Sequence, residues 1–348
     1  MTSEKTVVVY GAYGHTGRFV VAELRARGFV PVLSGRDARK LAAMADGLPA
    51  RTASVDDPAS LDRALAGAAA VINCAGPFAA TAAPVIEAAL RAGIPYVDVA
   101  AEIEANVDTF ADFGERARAA GAVVLPAMAF YGGLGDLLTT AAAGGWTAAD
   151  EAHIAYALDS WHPTAGTRAS SAVSRARRGA RRLVHTDGRL QHRDDAPPTL
   201  DWTFPAPVGP RAVIGEFTMA DVVTVPSHLA VPEVRTYMTT EAAREVTAAD
   251  TPPPVPADPA EPFGASAQTF LVDVRVRAGD EERRAVARGR DIYAVSAPLA
   301  VEAVERLLSG RTTGATGVVS AGALFDAPDF LAALAPHVAV ERGVLSAG

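Results

Sequence analysis

Three glycines at a regular spacing follow the first apolar segment of the sequence. Val7–Tyr10 leads directly into Gly11–Gly17, which has the pattern Gly-x-x-Gly-x-x-Gly and stands where a helical pattern begins. At a strand-to-helix turn, glycines permit a tight backbone and let a pyrophosphate approach the helix N-terminus. An ordinary tight turn is the alternative. We predict a dinucleotide site with contacts from Gly11, Tyr13, Gly14, His15, Thr16 and Gly17.

The end of the second apolar segment bears on which dinucleotide is bound. NAD sites normally place Asp or Glu here to bind the ribose 2′-hydroxyl, whereas Ser34, Gly35 and Arg36 precede the first acid, Asp37. An arginine can fork two hydrogen bonds to a 2′-phosphate, and a serine can donate a third. Ser34 and Arg36 therefore predict NADP as the cofactor. In the alternative, Arg36 is a solvated surface charge and Asp37 takes the ribose.

Small residues end the fourth predicted strand, Ala70–Cys74, and continue beyond it. At the carboxyl end of a parallel strand they let the chain pass close to a ligand lying across the sheet edge. The only cysteine, Cys74, is interpreted as a small buried side chain rather than a nucleophile, and it excludes an internal disulfide. We predict that this segment completes the cofactor site through Asn73, Ala75, Gly76 and Pro77.

Together, several segments resemble the saccharopine dehydrogenase-like reductases. They are Gly11–Arg18, Ser34–Asp37, Val71–Phe78, Ala88–Gly93, Tyr96–Glu102 and, with less specificity, Gly132–Asp136 and Ala321–Asp326. The resemblance implies a nicotinamide-binding domain, an inserted α/β substrate domain and a C-terminal return to the first domain. It also implies hydride transfer to a C=N bond or, as in some relatives, a C=C bond. Members of this family often carry Gly-Glu where this chain has Ala101 and Glu102.

Hydride transfer needs a proton source near the substrate, and the lysine content limits the choice. Only Lys5 and Lys40 are lysines, so the chain has no Tyr-x-x-x-Lys pair and no lysine placed for a Schiff base. Tyrosine, histidine and carboxylate donors remain. We predict Tyr131, beside a glycine-rich turn, as the catalytic donor, with His162 second. The alternatives are a packing aromatic for Tyr131, a surface histidine for His162, and water as the donor.

Candidate substrate contacts are found in the same segments of the chain. Two carboxylates follow the fifth predicted strand, and a tryptophan and an arginine flank the polar run after His162. In the alternative, Asp98 only braces a loop. We predict substrate contacts at Phe78, Asp98, Glu102, Trp161 and Arg168. His228 is a further, weaker candidate.

Strand and helix patterns alternate up to about Pro126, which predicts a Rossmann-type doubly wound parallel sheet. Beyond it, turn signals at Asp187-Gly188 and around Gly279 indicate hairpins, and hence a second α/β domain with a mixed or antiparallel sheet. Helices are predicted over Pro84–Ala92 and Thr167–Arg182. The predicted domains are residues 1–126, an inserted substrate domain at 127–297, and a helical return at 298–348 that packs on the first domain.

The composition of the chain argues against several classes of protein and ligand. The 348 residues are 49% hydrophobic and carry a net charge of −8, which excludes global disorder and argues against nucleic acid as a partner. The proline-rich run Thr251–Pro262 is interpreted as a surface connector. The basic cluster Arg175–Arg182 is interpreted as solvated surface, and recognition of a phosphate- or carboxylate-bearing substrate is its alternative. The histidines lack metal-ligand spacing, so no metal is predicted.

The function predicted from these features is NADPH-dependent reduction of a C=N or C=C bond in a small organic substrate. The alternative is a non-catalytic NADP-binding sensor or regulator. We expect a small-molecule partner and no membrane, because no window approaches a membrane span. Met1–Lys5 has no signal-peptide pattern, so we expect a cytoplasmic location. A homodimer is left open.

Overall fold

The computed structural model describes residues 5–345 apart from residues 180 and 262. Residues 1–4, on which the expectation about a signal peptide rests in part, lie outside the described residues. So do one position of the arginine cluster and the last proline of the connector. Within the described part of the chain, every helix is too short or too polar to cross a bilayer.

The first part of the chain alternates strands and helices as far as residue 125. Its helices start at local signals, since Asp37 and Asp57 each accept a hydrogen bond from a backbone N–H of the helix that follows them. The elements are β1 (Thr6–Tyr10), α1 (His15–Ala26), β2 (Val30–Gly35), α2 (Ala38–Met44), β3 (Ala50–Thr52), α3 (Pro58–Leu65), β4 (Ala70–Asn73), α4 (Phe78–Ala92), β5 (Tyr96–Asp98), α5 (Ile103–Ala119) and β6 (Val123–Leu125).

The second part is richer in strands, and both predicted hairpins are present in it. An irregular turn, Phe130–Leu134, leads into it from the first part. The elements are α6 (Gly135–Ala143), β7 (Glu151–Leu158), α7 (Ala165–Arg178), β8 (Arg182–Thr186), β9 (Arg189–Arg193), β10 (Thr199–Thr203), β11 (Pro210–Gly215), α8 (Asp221–Thr224), β12 (Glu233–Thr239), α9 (Thr240–Thr247), β13 (Thr269–Ala278) and β14 (Glu281–Arg290).

The C-terminal part differs from the helical return that the sequence predicts. It contains α10 (Ser296–Ser309), β15 (Gly317–Val318), α11 (Ala321–Leu324), α12 (Ala327–Ala333) and β16 (Val338–Leu345). Helix α10 packs on α1, where buried Glu302 pairs with Arg27 and Arg306. Strand β15 joins the first sheet and β16 joins the second. A two-residue strand such as β15 is too short to show a periodic pattern in the sequence.

The two sheets confirm the predicted fold class. The first has the order β15-β6-β5-β4-β1-β2-β3, and all of its pairs are parallel. The second has the order β10-β11-β12-β7-β13-β14-β16, in which only β12 and β7 run parallel. One continuous core contains Val9 and Leu125 of the first sheet and Ile154 and Val272 of the second. The two sheets therefore share one hydrophobic core, which helices α6 and α10 help to fill.

Two helices differ in length from their predictions. Helix α4 begins at Phe78, six residues before the predicted start at Pro84, and the proline lies inside it. Its first backbone N–H groups are capped by Glu102, which is distant in sequence. Helix α7 ends at Arg178, where Gly179 adopts a φ of +67° and the chain turns into β8. Arg182, predicted to be helical, starts that strand.

Candidate functional site

The glycine-rich turn between β1 and α1 brings two loops into close contact. Gly11 has a φ of +86°, and a Cβ on it would lie 2.8 Å from the backbone nitrogen of Ala75. A Cβ on Gly17 would lie 2.3 Å from the carbonyl oxygen of Gly11, so the helix starts directly against the turn. The sequence therefore needs glycine at both positions because backbone atoms occupy the space of a side chain.

The start of α1 is suited to an anion. Its first hydrogen bond runs from the N–H of Arg18 to the carbonyl of Gly14, and Gly14 provides no side-chain cap. Within the described residues, no acceptor is recorded for the backbone N–H of His15, Thr16 or Gly17. Unpaired N–H groups at a helix N-terminus bind phosphate through hydrogen bonds and the helix dipole. The turn thus fits the diphosphate of a dinucleotide.

Ser34, at the end of β2, and the residues that follow it make contacts that differ from those predicted. The Ser34 hydroxyl is buried and donates to the carbonyl of Arg51 at 2.8 Å, so it faces away from a 2′-phosphate. The Asp37 side chain accepts from the N–H groups of Arg39 and Lys40 and caps α2. Arg36 is exposed, and it has no ion pair within the described residues. Of these three side chains, only Arg36 is free to bind a phosphate.

The segment after β4 is shaped by Asn73. This side chain is buried, accepts from the N–H of Ala75 at 3.0 Å and donates to Thr81 and to the hydroxyl of Tyr96. It therefore positions the loop rather than facing a ligand. Gly76 follows, and a Cβ on it would lie 2.9 Å from the Ser170 hydroxyl oxygen of α7. The cofactor-side loop thus touches the second domain at this point.

A cavity of about 630 Å³ opens between the carboxyl edge of the first sheet and α7. Thr16, Cys74 and Gly76 line it from the first domain, and Tyr131 and Trp161 line it from the second. Cys74 is half-buried, and desolvation raises the pKa of its thiol, which keeps it protonated and argues against a nucleophile. Ligand sites are usually clefts of this size with apolar walls and few polar groups. The cavity lies at the carboxyl ends of the strands, where doubly wound sheets bind ligands.

Tyr131 has a buried hydroxyl that lacks a hydrogen-bond partner among the described residues. Its ring packs against Phe130, Tyr156 and Trp161, with centroids 4.7–5.2 Å away. Burial, and then the nearby Tyr293 and Asp221, raise the pKa of Tyr131 well above its ordinary range. A buried polar atom without a partner costs about 1–3 kcal/mol, so this hydroxyl has an unused donor on a side chain that lines the cavity.

Tyr293 lines the same cavity, but its hydroxyl is fully engaged. It accepts from the backbone N–H of Thr164 at 3.3 Å and from the indole N–H of Trp161 at 3.4 Å. It lies 3.3 Å from the carbonyl of His162, to which it donates. Tyr293 therefore fixes the segment that leads into α7. Tyr131 is the tyrosine of this pair that has a free proton.

The two predicted carboxylates at the end of β5 have structural partners. Glu102 lines the cavity, yet its oxygens accept from the N–H groups of Phe78 at 2.7 Å and Ala79 at 3.0 Å. Asp98 lies outside the cavity lining, and it accepts from Tyr96 and from the N–H groups of Ala100 and Ala127. Burial raises the pKa of Asp98 to about 6. Asp98 thus braces a loop, as the alternative held, and does not face a substrate.

The structure also separates His162 and Arg168 from the main cavity. His162 lines a smaller cavity of about 180 Å³ beside Val255 of the connector. Arg168 donates to the carbonyls of Ala248 and Thr251 and so fastens the segment after α9. Trp161 and Phe78, in contrast, lie in the main cavity wall, as predicted.

His228 pairs with Asp136 rather than facing the cavity. Its Nε2 is 2.6 Å from Asp136 Oδ1, and the N–H of Gly322 donates to the other oxygen of that carboxylate. Burial lowers the pKa of His228, but the Asp136 charge outweighs it and the net shift is upward. The two less specific segments of the resemblance thus meet here, and they join α6 to the C-terminal return.

Several lining residues carry no signal in the sequence. Ser170 lies in α7, Tyr293 before α10 and Phe217 after β11, and none stands in a recognisable motif. The arginine cluster was visible in the sequence. Because it was predicted to be wholly helical, its charges were expected to point in most directions around the helix. Because α7 ends at Arg178, the structure instead brings the clustered cavity arginines to one end of the site: Arg175, Arg178, Arg181 and Arg182.

Comparison with known proteins agrees with this geometry. Residues 7–125 match the family model of the saccharopine dehydrogenase NADP binding domain. The chain is 31% identical over 142 residues to a probable mitochondrial saccharopine dehydrogenase-like oxidoreductase of Arabidopsis thaliana, which covers 36% of this chain and 31% of that protein. It is 30% identical over 145 residues to the saccharopine dehydrogenase-like oxidoreductase of Bos taurus, covering 36% and 34% respectively. The alignments thus span about a third of the curated relatives.

A solved structure extends the likeness of fold to the whole chain. Apo histidine-tagged saccharopine dehydrogenase (L-Glu forming) from Saccharomyces cerevisiae superposes with a TM-score of 0.64 over 98% of this chain and 100% of that one, at 13% identity. The predicted resemblance and the NADP assignment are confirmed. The first domain of this protein is therefore an NADP-binding domain similar to that of saccharopine dehydrogenase, and the chain as a whole shares the fold of the yeast enzyme.

Proposed function

We propose that this protein is an NADPH-dependent reductase that acts on a C=N or C=C bond of a small organic substrate. The observation that carries the proposal is the free hydroxyl of Tyr131 in a cavity that begins at the dinucleotide turn. The unpaired N–H groups of His15, Thr16 and Gly17 would hold the diphosphate, and Arg36 the 2′-phosphate. When bound there, NADPH supplies a hydride from its nicotinamide ring.

The chain must then supply a proton, and Tyr131 has the chemistry for it. Its raised pKa keeps the hydroxyl protonated at neutral pH. Hydride addition to a C=N or C=C bond leaves a nitrogen or carbon far more basic than a phenolate. Tyr131 can therefore protonate that atom despite its raised pKa. Neither lysine competes for this role, since Lys5 donates to the carbonyl of Leu308 and Lys40 lies near Tyr13 on the surface.

The walls around Tyr131 keep water away from the reaction. Phe130, Trp161 and Ile292 line the cavity together with Tyr131, and all three are buried. Exclusion of water strengthens the electrostatic interactions within a site and prevents side reactions of the reduced cofactor. An apolar pocket also favours a substrate whose reacting bond is embedded in a hydrocarbon frame.

The test is a screen of NADPH oxidation against imines, enones and ketones, with Tyr131→Phe and Tyr237→Phe compared on any active substrate. Tyr237 is a buried tyrosine on the opposite face of the second sheet, outside the cavity. We expect Tyr131→Phe to lower kcat by ~100-fold or more, as loss of a general acid does. We expect Tyr237→Phe to retain wild-type turnover, and both variants to keep their affinity for NADPH.

Two results would count against the proposal. Tight NADPH binding without turnover on any substrate class would favour a non-catalytic sensor, which needs a cofactor site but no proton donor. Full turnover by Tyr131→Phe would place the proton donor elsewhere, with water as the next candidate.

A further inference from the structure

The cavity has two chemically different ends. At one end lie the dinucleotide turn and Tyr131. At the other end, arginines from the last turn of α7, from the turn into β8 and from α9 line the wall: Arg175, Arg178, Arg181, Arg182 and Arg244. Among the described residues, the acidic ones that line the cavity are Glu102 and Glu216. A positive cavity end is notable in a chain whose net charge is −8.

Ion pairs neutralise part of this positive charge but not all of it. Arg178 pairs with Glu104 at 2.8 Å, and Arg182 pairs with Glu216 at 2.7 Å. Arg175, Arg181 and Arg244 have no ion pair within the described residues, and all three are exposed. The paired arginines therefore hold the wall together, while the other three can bind an anion. We name Arg175, Arg181 and Arg244 the arginine triad.

The arginine triad stands apart from the cofactor phosphates. In the first sheet, β1 lies between β4 and β2, and Arg36 directly follows β2. The arginine end lies on the β5 side, since Arg178 contacts Glu104 of α5. A dinucleotide that spans Arg36 and the Gly11–Gly17 turn therefore leaves the arginine triad to another ligand.

Apolar side chains connect the two ends without a break. The ring of Tyr131 lies 5.2 Å from that of Trp161, which lies 6.2 Å from that of Phe217. Phe217 directly follows Glu216, the partner of Arg182. Along α7, eight residues separate Ser170, beside the cofactor loop, from Arg178. At 1.5 Å per residue this is about 12 Å.

We propose that the substrate is an elongated amphipathic anion. Its reducible bond lies at Tyr131, a hydrocarbon chain or ring system follows Trp161 and Phe217, and a phosphate or carboxylate binds the arginine triad. This deepens the proposed function and rests on it for the reducible bond. The arginine guanidinium fits both anions through paired hydrogen bonds. The apolar section accounts for the aromatic wall, which a small polar substrate would not need.

The test measures binding directly, by calorimetry on the full chain with NADP⁺ bound. The probes are decyl phosphate, decanoate, decanol and inorganic phosphate. We expect at least one of the two decyl anions to bind 10-fold or more tightly than both decanol and inorganic phosphate. The preferred anion identifies the head group. Rising salt should weaken binding of the anions but not of decanol.

Variants assign the effect to the arginine triad. Arg175→Ala/Arg181→Ala/Arg244→Ala should weaken anion binding 10-fold or more and leave decanol unchanged. The control, Arg189→Ala/Arg211→Ala/Arg342→Ala, removes the same charge from exposed arginines outside the cavity and should bind like wild type. Equal binding of decanol and the anions, or an unaffected triad variant, would overturn the proposal. Because these probes carry no reducible bond, their binding is independent of whether the protein is a reductase.

Discussion

The two walls of the cavity are built by different means. The cofactor wall, from the first domain, begins at the glycine-rich turn, where the backbone fixes the shape because a Cβ on Gly11 or Gly17 would collide with backbone atoms. The wall from the second domain consists of side chains such as Tyr131 and Trp161, which come from separate elements. A backbone wall tolerates little change, because any added atom overlaps with it. A side-chain wall can change its ligand by substitution without loss of the fold, as is general for sites carried on common folds.

A buried carboxylate lies near each wall, and the two carboxylates should make the stability of the protein depend on pH over different ranges. Burial raises the pKa of Asp221, beneath the Tyr131 wall, to about 7, and that of Asp98, beneath the cofactor wall, to about 6. Both values exceed those of an unfolded chain. The folded state therefore keeps protons that the unfolded state releases. The free energy of unfolding falls as the pH rises from about 4 to about 6 because of Asp98, and from about 4 to about 7 because of Asp221.

The largest expected effect concerns Asp221→Asn. Relative to wild type, its free energy of unfolding should rise between pH 4 and pH 8 by an amount of the order of 4 kcal/mol. Asp98→Asn should show a smaller rise over a lower pH range. Urea unfolding at a series of pH values measures both differences. Parallel pH profiles for wild type and Asp221→Asn would show that this carboxylate is ionised in the fold.

The next largest effect concerns the backbone wall. Gly17→Ala would place a Cβ 2.3 Å from the carbonyl oxygen of Gly11 and push the start of α1 away from the turn. We expect NADPH affinity to fall by ~100-fold, about 3 kcal/mol. Gly114→Ala in α5 is the control, since a Cβ there meets no atom within 4 Å. Fluorescence titration of NADPH measures both, and unchanged affinity in Gly17→Ala would contradict the role of this contact.

A smaller effect should follow from Arg36→Ala. Asp37 is held as the cap of α2, so Arg36 is the side chain left to bind the 2′-phosphate. We expect NADPH to bind about 10-fold more weakly while NADH is little changed, since a charge-assisted hydrogen bond contributes ~1.5–3 kcal/mol. The ratio of kcat/KM for NADPH and NADH is the measurement on an active substrate. Equal kcat/KM values for NADPH and NADH in the wild-type protein would refute the NADP preference.

The smallest effect concerns Glu102, the carboxylate that caps α4 within the first domain. Glu102→Gln replaces one oxygen that caps α4 by an amide group, so one backbone N–H of Phe78 or Ala79 loses its acceptor. We expect the free energy of unfolding to fall by about 1 kcal/mol. Glu115→Gln, at an exposed position of α5, is the control and should have wild-type stability. Thermal unfolding compares them. Identical midpoints for both variants would show that the cap contributes nothing.

Much of the cofactor wall was predictable, because its chemistry is local. The Gly11–Gly17 spacing, Arg36 and the carboxyl end of β4 are contiguous segments whose backbone needs can be read from residue type. Ser34 is the exception in this group. Its hydroxyl has two acceptors to choose from, a ligand or the carbonyl of Arg51, and the pairing of β2 with β3 decides for the carbonyl.

The substrate wall was predictable only where a residue follows a strand end or a glycine turn, as Tyr131 does. His162, Arg168 and Asp98 have the residue types of a site, yet partners from other elements or a separate cavity take them out of it. The early start of α4 was missed for the same reason. Its cap is Glu102, more than twenty positions away, and no pattern within the helix reveals it.

The sequence by itself determined the dinucleotide turn, the preference for NADP, the alternation of strands and helices, and the absence of lysine chemistry. These depend on backbone freedom, residue type and short-range periodicity, which are properties of neighbouring residues. Only the tertiary structure decided which tyrosine has a free hydroxyl, which carboxylates are caps, and that the cavity ends in unpaired arginines. Those properties depend on which distant groups meet in a low-dielectric interior, where each partner gained or lost changes what a side chain can do.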